Sequence, residues 1–133
     1  MKVKHEAAVV AAEWWAKKID GTCKHDNGET GLTSLLAMCM ADSLNKPVTE
    51  EQLGMFKAEL IQQIETTAES YKYKTDLDLY CDYGPGFLLA DAARCAGISR
   101  NNFPYKTGMT ITEEAVTVRD GYRAQRVTIW PTT

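Results

Sequence analysis

The feature that most constrains the fold is a change in the spacing of apolar residues near the middle of the chain. Up to about position 70, apolar side chains recur every three or four residues, as they do in amphipathic helices. Leu77, Leu79 and Cys81 then alternate with Asp78 and Tyr80, which is typical of a strand with one buried face. The sequence therefore predicts helices first and most of its strands afterwards.

Residues that start and stop helices set the bounds of the helical segments. Thr49 and Gln52 match a capping box, in which the two side chains satisfy free amides of the first helical turn. Pro47 ends the segment before it, because the residue preceding a proline is pushed out of helical geometry. Gly97 followed by Ile98 supplies a left-handed C-terminal cap with its apolar contact. The predicted helices are 5–19, 33–44, 50–70 and 87–96.

The C-terminal third has the pattern of a small antiparallel meander. Its strand-like runs contain Met109 and Ile111, then Val116 and Val118, then positions 126–130. Positions 77–83 add a further strand to this sheet. There is no βαβ alternation and no internal repeat, so we expect an α+β fold, with N-terminal helices packed on one face of a small C-terminal antiparallel sheet. We expect a single domain over positions 1–133.

Composition and charge exclude several classes of protein. The 133 residues are 44% hydrophobic, which favours one globular core over disorder. A net charge of −3 argues against a protein that coats nucleic acid or an anionic membrane. The longest apolar run, 35–41, is too short to span a bilayer. Glu6 and Glu13 interrupt the one stretch that imitates a signal peptide, so we expect a cytoplasmic protein.

The four cysteines are too widely spread for a disulfide framework, and we expect reduced thiols. Cys39 and Cys95 lie in apolar runs, where a free cysteine behaves as a small buried hydrophobe. Cys81 is the best candidate nucleophile, since it precedes a turn into a helix, and His25 or His5 is its candidate base. Nothing in the sequence brings the thiol and a base together, so we expect no catalytic residues.

Metal binding is not expected either. Cys23, His25 and Cys39 could form part of a zinc site, but there is no Cys-x-x-Cys pair and a fourth ligand would have to come from far away. Three carboxylates share one side of the predicted strand, and we interpret them as its solvent face rather than as a magnesium site: Asp76, Asp78 and Asp82. The sequence therefore implies no metal and no cofactor.

Positions 89–103 resemble a helix-turn-helix motif and give an alternative function, a DNA-binding regulator. Ala93 and Gly97 fit the motif, but the polar Ser99 occupies a position that should be apolar. Pro104 would lie inside the recognition helix, where it costs about 3 kcal/mol or more. A helix followed by a turn and an extended segment is therefore favoured over a DNA-reading pair of helices.

All five arginines lie in the last forty residues, interleaved with aromatic side chains. Arginine presents a planar fork of donors to carboxylates and phosphates and stacks on rings, so this end is predicted to dock a partner protein or a small anionic ligand. Ordinary surface ion pairs with the acidic residues nearby are the alternative. The predicted partner-binding residues are Arg119, Tyr122, Arg123, Arg126, Arg100 and Tyr105, of which the first three flank the turn at Asp120 and Gly121.

Four short segments carry a resemblance to a known group: Asp82-Tyr83-Gly84-Pro85, Ala96-Gly97-Ile98, 103–109 and Gly121-Tyr122. Over about the last fifty residues, the chain resembles small accessory proteins of phages and prophages. The resemblance implies a non-enzymatic, single-domain binder that acts in the host cytoplasm.

The expected function is thus that of a phage-type inhibitor of a host defence system. It would bind a host protein or sequester a small anionic ligand, alone or as a homo-oligomer. The alternatives are the DNA-binding regulator and a cysteine-dependent hydrolase that uses Cys81 and His25.

Overall fold

A computed structural model describes residues 1–20, 48–82, 84–99, 102–104, 106–121 and 125–131. The helices in these residues are α1 (His5–Ile19), α2 (Glu50–Ser70) and α3 (Phe87–Ala96). The strands are β1 (Asp76–Cys81), β2 (Thr107–Thr112), β3 (Val116–Asp120) and β4 (Val127–Trp130). The predicted α+β fold is confirmed, and the predicted helix at 33–44 lies outside the described residues.

The four strands form one antiparallel sheet in the order β1-β2-β3-β4. Leu79 pairs with Met109, and Met109 pairs with Val118, so apolar side chains from three strands meet in one row. The third helix lies between β1 and β2 in the sequence, so the helices do not all precede the sheet. Antiparallel strands of this kind can leave one face in water while the other is buried.

The alternation in β1 gives the sheet two different faces. Its residues alternate strictly between exposed and buried from Asp76 to Cys81, as the sequence predicts. The inward side chains of β1, β2 and β3 join the helices in a single core. The largest fully buried side chains include Trp15, Phe56 and Leu60 from the helices. We call the opposite, solvent-facing side of the sheet the outer face.

The second helix is tied to the third by one side chain. The Thr49 hydroxyl accepts a hydrogen bond from the Gln52 backbone amide at 3.1 Å, and the Gln52 side-chain oxygen accepts one from the Thr49 amide at 3.0 Å. This confirms the predicted capping box. The Gln52 side-chain amide also donates to the Gly97 carbonyl at the end of α3, at 3.0 Å. One glutamine therefore caps α2 and also hydrogen-bonds the end of α3.

The end of α3 matches the predicted cap and excludes a recognition helix after it. Gly97 has a φ of 71°, and the Ile98 amide donates to the Ala93 carbonyl at 2.9 Å. Ile98 is buried, which provides the apolar contact of the cap. In the described residues between α3 and β2 the chain is not α-helical, and Pro104 lies among them. The helix-turn-helix alternative therefore gains no support.

Candidate binding surface on the outer face

Two rows of side chains cross the outer face from β1 to β3. Asp78 pairs with Thr110 and Thr110 with Thr117, which forms a polar row. Tyr80 pairs with Gly108 and Gly108 with Arg119, which forms the neighbouring row. Because partners directly opposite in neighbouring strands have Cβ atoms about 5 Å apart, residues in each row are in reach of one another.

The polar row holds an arginine that arrives from the start of β4. The Thr110 hydroxyl donates to an Asp78 carboxylate oxygen at 2.8 Å. The same hydroxyl oxygen accepts a hydrogen bond from Nη1 of Arg126 at 2.9 Å, and the Thr117 hydroxyl oxygen lies 3.5 Å from that nitrogen. Arg126 therefore reaches back across β3 to β2, and its position is fixed by threonine hydroxyls.

The second row contains a hollow because its middle residue has no side chain. A Cβ atom on Gly108 would meet no other atom within 4 Å. On one side, Tyr80 is 57% exposed, and its ring leans over Gly86, where a Cβ would approach the ring to 3.1 Å. On the other side, Nε of Arg119 donates to the Gly121 carbonyl at 3.2 Å. Within the described residues, both terminal amino groups of Arg119 lack a hydrogen-bond partner.

The hollow has a volume of about 470 Å³ and is lined by residues of both rows. Asp78, Tyr80, Arg119 and Arg126 are among the lining residues. Lys106 stands at its edge in an unusual backbone conformation, with a φ of 57°. Residues other than glycine rarely adopt this conformation, and strained backbone of this kind concentrates at functional sites.

The surface carries charges of both signs, and they come close together in the polar row, where the Thr110 hydroxyl contacts both Asp78 and Arg126. Asp76 and Asp78 stand exposed on β1. Arg119 is exposed on β3, and Arg126 is exposed just before β4. The hollow above Gly108 lies between β1, which carries Asp78, and Arg119 on β3, and Lys106 adds a further cation to its lining.

The structure brings together Arg119 and Arg126, two of the six predicted partner-binding residues. The other four, Arg100, Tyr105, Tyr122 and Arg123, lie outside the described residues, and so does His25. Sequence reasoning missed three residues of the surface: Tyr80, Gly108 and Thr110. The gap at Gly108 can be recognised only from the register of β1, β2 and β3, because the sequence does not show which side chains flank the glycine in the sheet.

The structure places Cys95 on the surface and Cys81 in the core. Cys95 was expected to be buried, and this is wrong, because it is exposed on α3. The buried positions of that helix, Leu89, Ala92, Ala93 and Ala96, occupy the side that faces the core. Cys81 is only 1% exposed and points into the core, so the cysteine-hydrolase alternative gains no support. Within the described residues, no group of three or more His, Cys, Asp or Glu side chains could hold a metal ion.

Comparison with known proteins identifies a similar fold. The sequence matches no protein-family model and no curated protein. Among solved structures it is similar to the BTG/Tob domain of C. elegans FOG-3, determined as a doubly substituted variant. The similarity covers 96% of this chain and 90% of that chain, with 12% sequence identity and a TM-score of 0.57. At this identity, the similarity shows the fold alone.

The interpretation of the chain as a phage-type inhibitor of a host defence system is wrong. That interpretation rested on turn and strand residues near the C-terminus, and glycine and proline recur in unrelated turns for conformational reasons. The structural similarity instead covers 96% of the chain and leads to a C. elegans domain, not to a phage protein.

In the part of the chain that the structure describes, no helix has the length and apolarity needed to cross a bilayer.

Proposed function

We propose that the chain is a non-enzymatic protein-binding domain whose partner docks on the outer face, with Arg119 and Arg126 as its main contacts. One observation carries this proposal. Two guanidinium groups, one from β3 and one from the residue just before β4, line the same hollow, and each is already held by a hydrogen bond to its own chain. Arginine is enriched among the residues that dominate protein interfaces, because its fork makes paired hydrogen bonds.

The chemistry of the hollow favours binding over catalysis. Cys81 contributes to its floor, but the thiol points into the core on the other side of the sheet. The carboxylate of Asp78 accepts a hydrogen bond from the Thr110 hydroxyl, whose oxygen is in turn held by Arg126, and no histidine lines the hollow among the described residues. A cytoplasmic location, and contacts from Arg100, Tyr105, Tyr122 and Arg123, remain predictions from the sequence that are compatible with this proposal.

Site-specific photo-crosslinking tests the proposed surface. Tyr80 is replaced by p-benzoylphenylalanine, a similar ring that bonds covalently to whatever lies against it on illumination. Tyr73, which is 96% exposed in the segment between α2 and β1, receives the same replacement as a matched control. We expect a defined protein adduct, in the cells that express the chain, from position 80 and not from position 73. Equal adducts from both positions, or none from position 80, would contradict the proposal.

Arginine variants then test the named contacts. We expect that Arg119→Ala and Arg126→Ala together reduce the adduct at least tenfold, which corresponds to a loss of about 1.4 kcal/mol or more. Arg94→Ala is the control, because Arg94 is also an exposed arginine but lies on α3, where it pairs with Asp91. If the double variant and the control give the same yield of adduct, the arginines are not the contacts.

A further inference from the structure

The outer face carries charges of both signs, and this limits what can bind there. Exposed carboxylates of Asp76 and Asp78 lie on β1, and Arg119 lies on β3 on the opposite side of the hollow. The Arg126 guanidinium reaches the Thr110 hydroxyl, which also contacts Asp78. A nucleic acid strand presents negative charge along its whole length, so it would place phosphates against the aspartates. A ligand that matches this surface must itself carry both signs. A peptide can carry both signs, because acidic and basic side chains can stand close together in one segment.

The size of the surface indicates how much of a partner it can contact. Strands four to six residues long and about 4.8 Å apart give a sheet face of roughly 15 by 20 Å. This is smaller than the contact area of about 800 Å² per partner that stable interfaces between folded proteins use. A short segment of a partner, rather than a whole folded domain, fits an area of this size.

We infer that the outer face binds a peptide segment that carries one acidic and one basic side chain. The inference rests on the proposed function and adds the chemistry of the ligand. The acidic side chain lies in the hollow above Gly108, between the guanidinium groups of Arg119 and Arg126. The basic side chain faces Asp76 and Asp78 on β1.

The hydrogen-bonding groups on each side support this orientation. Both terminal amino groups of Arg119 lack a partner among the described residues, so they can donate to two oxygens of one carboxylate. Arg126 uses only one of its terminal amino groups to contact the threonines. On β1, one oxygen of Asp78 accepts from Thr110, and the other lacks a described partner. Because β1 and β3 are about 10 Å apart, the two charged side chains belong to nearby residues of one segment.

Selection from a random peptide library tests the inference. The immobilised chain is panned against displayed twelve-residue peptides, and peptides that also bind Gly108→Val are removed. Gly108→Val projects a branched side chain into the middle of the hollow, at a position where the added Cβ meets no neighbour within 4 Å. Gly108→Ala is a second, smaller filling, and the melting temperature of each variant is recorded. We expect the enriched peptides to share one acidic and one basic residue at a fixed spacing.

Charge reversal then tests the pairing directly by fluorescence anisotropy with one enriched peptide. We expect Arg119→Glu to weaken binding about tenfold or more, because an attraction becomes a repulsion. Replacing the acidic residue of the peptide with lysine should restore at least half of the lost binding free energy with Arg119→Glu, but not with the parent chain. Absence of this rescue would overturn the orientation that we infer.

The outcomes separate the inference from the proposed function. Enriched peptides that Gly108→Val excludes, but that carry only one sign of charge or none, would overturn the inference and leave the proposed surface in place. A single-stranded RNA dodecamer that binds the parent chain, and loses binding with Gly108→Val, would overturn the peptide assignment. Failure to enrich any peptide that depends on Gly108, Arg119 or Arg126 would overturn the inference, whereas the proposed function is overturned only if crosslinking from position 80 also gives no adduct.

Discussion

The free energy of unfolding should rise when Gly108 receives a side chain. A Cβ at this position meets no atom within 4 Å, and the backbone is not in the left-handed conformation that requires glycine. Glycine inside a strand weakens it, because folding removes more conformational freedom from glycine than from other residues. We therefore expect Gly108→Ala to stabilise the chain by about 0.5 kcal/mol. Gly108→Val should stabilise it by about 1 kcal/mol, since β-branched residues suit strands.

Urea denaturation followed by far-UV circular dichroism measures this change. The midpoint should increase while the slope m stays constant, because the surface exposed on unfolding is nearly the same. In a chain of this length, a gain of 1 kcal/mol raises the melting temperature by about 4 °C. Gly97→Ala is the matched control. Gly97 has a φ of 71°, so the same methyl group should cost about 1 kcal/mol there.

A fall in stability for Gly108→Val would refute the reasoning, since it would mean that the hollow is occupied or that Gly108 needs a conformation closed to valine. Higher stability together with weaker peptide binding in Gly108→Val would also exclude a trivial explanation of the binding loss. If Gly108→Val binds its peptide more weakly while the chain becomes more stable, partial unfolding cannot explain the loss. Greater stability with reduced function is common when a binding site leaves space unfilled.

Three other changes test the packing and the exposure of named side chains. Gln52→Ala should lower the unfolding free energy, measured by urea denaturation, by about 1 kcal/mol, because it removes the capping box and the hydrogen bond to the end of α3. Gln62→Ala is the control, since Gln62 lies on the exposed side of α2, and it should change the unfolding free energy by less than about 0.5 kcal/mol. Phe56→Ala should cost about 4 kcal/mol in the same assay, since Phe56 is fully buried. A maleimide followed by peptide mass mapping should label Cys95 in the native chain but Cys81 only in denaturant, and rapid native labelling of Cys81 would contradict its burial.

Features set by neighbouring residues were predictable from the sequence. The bounds of α2 and α3 agree with the predicted 50–70 and 87–96, because apolar spacing and capping residues act within a few positions. The apolar neighbours of Cys95 predict burial, but its position around the helix places it on the exposed side of α3. Only the helical period shows which side of α3 faces the core.

The candidate site was only partly predictable, because it depends on how strands are paired. Two of its arginines were named from composition, but nothing local indicates that Tyr80, Gly108 and Arg119 form one row. That row requires the register of β1 with β2 and of β2 with β3. A shift of one residue in either pairing would turn the strand over and bury the polar residues. The strand register that buries the apolar side chains on the inner face therefore also places Tyr80, Gly108 and Arg119 in one row on the outer face.

The same pairing prepares the two arginines for binding. A free arginine side chain loses up to about 2 kcal/mol of rotamer entropy when a ligand immobilises it. Arg126 is already held by the Thr110 hydroxyl, and Arg119 by the Gly121 carbonyl. Much of that entropy has therefore been lost during folding, so that more of the hydrogen-bond energy remains for the partner. Because these restraints come from β2 and from the turn after β3, the stability of the sheet directly limits how well the surface can bind.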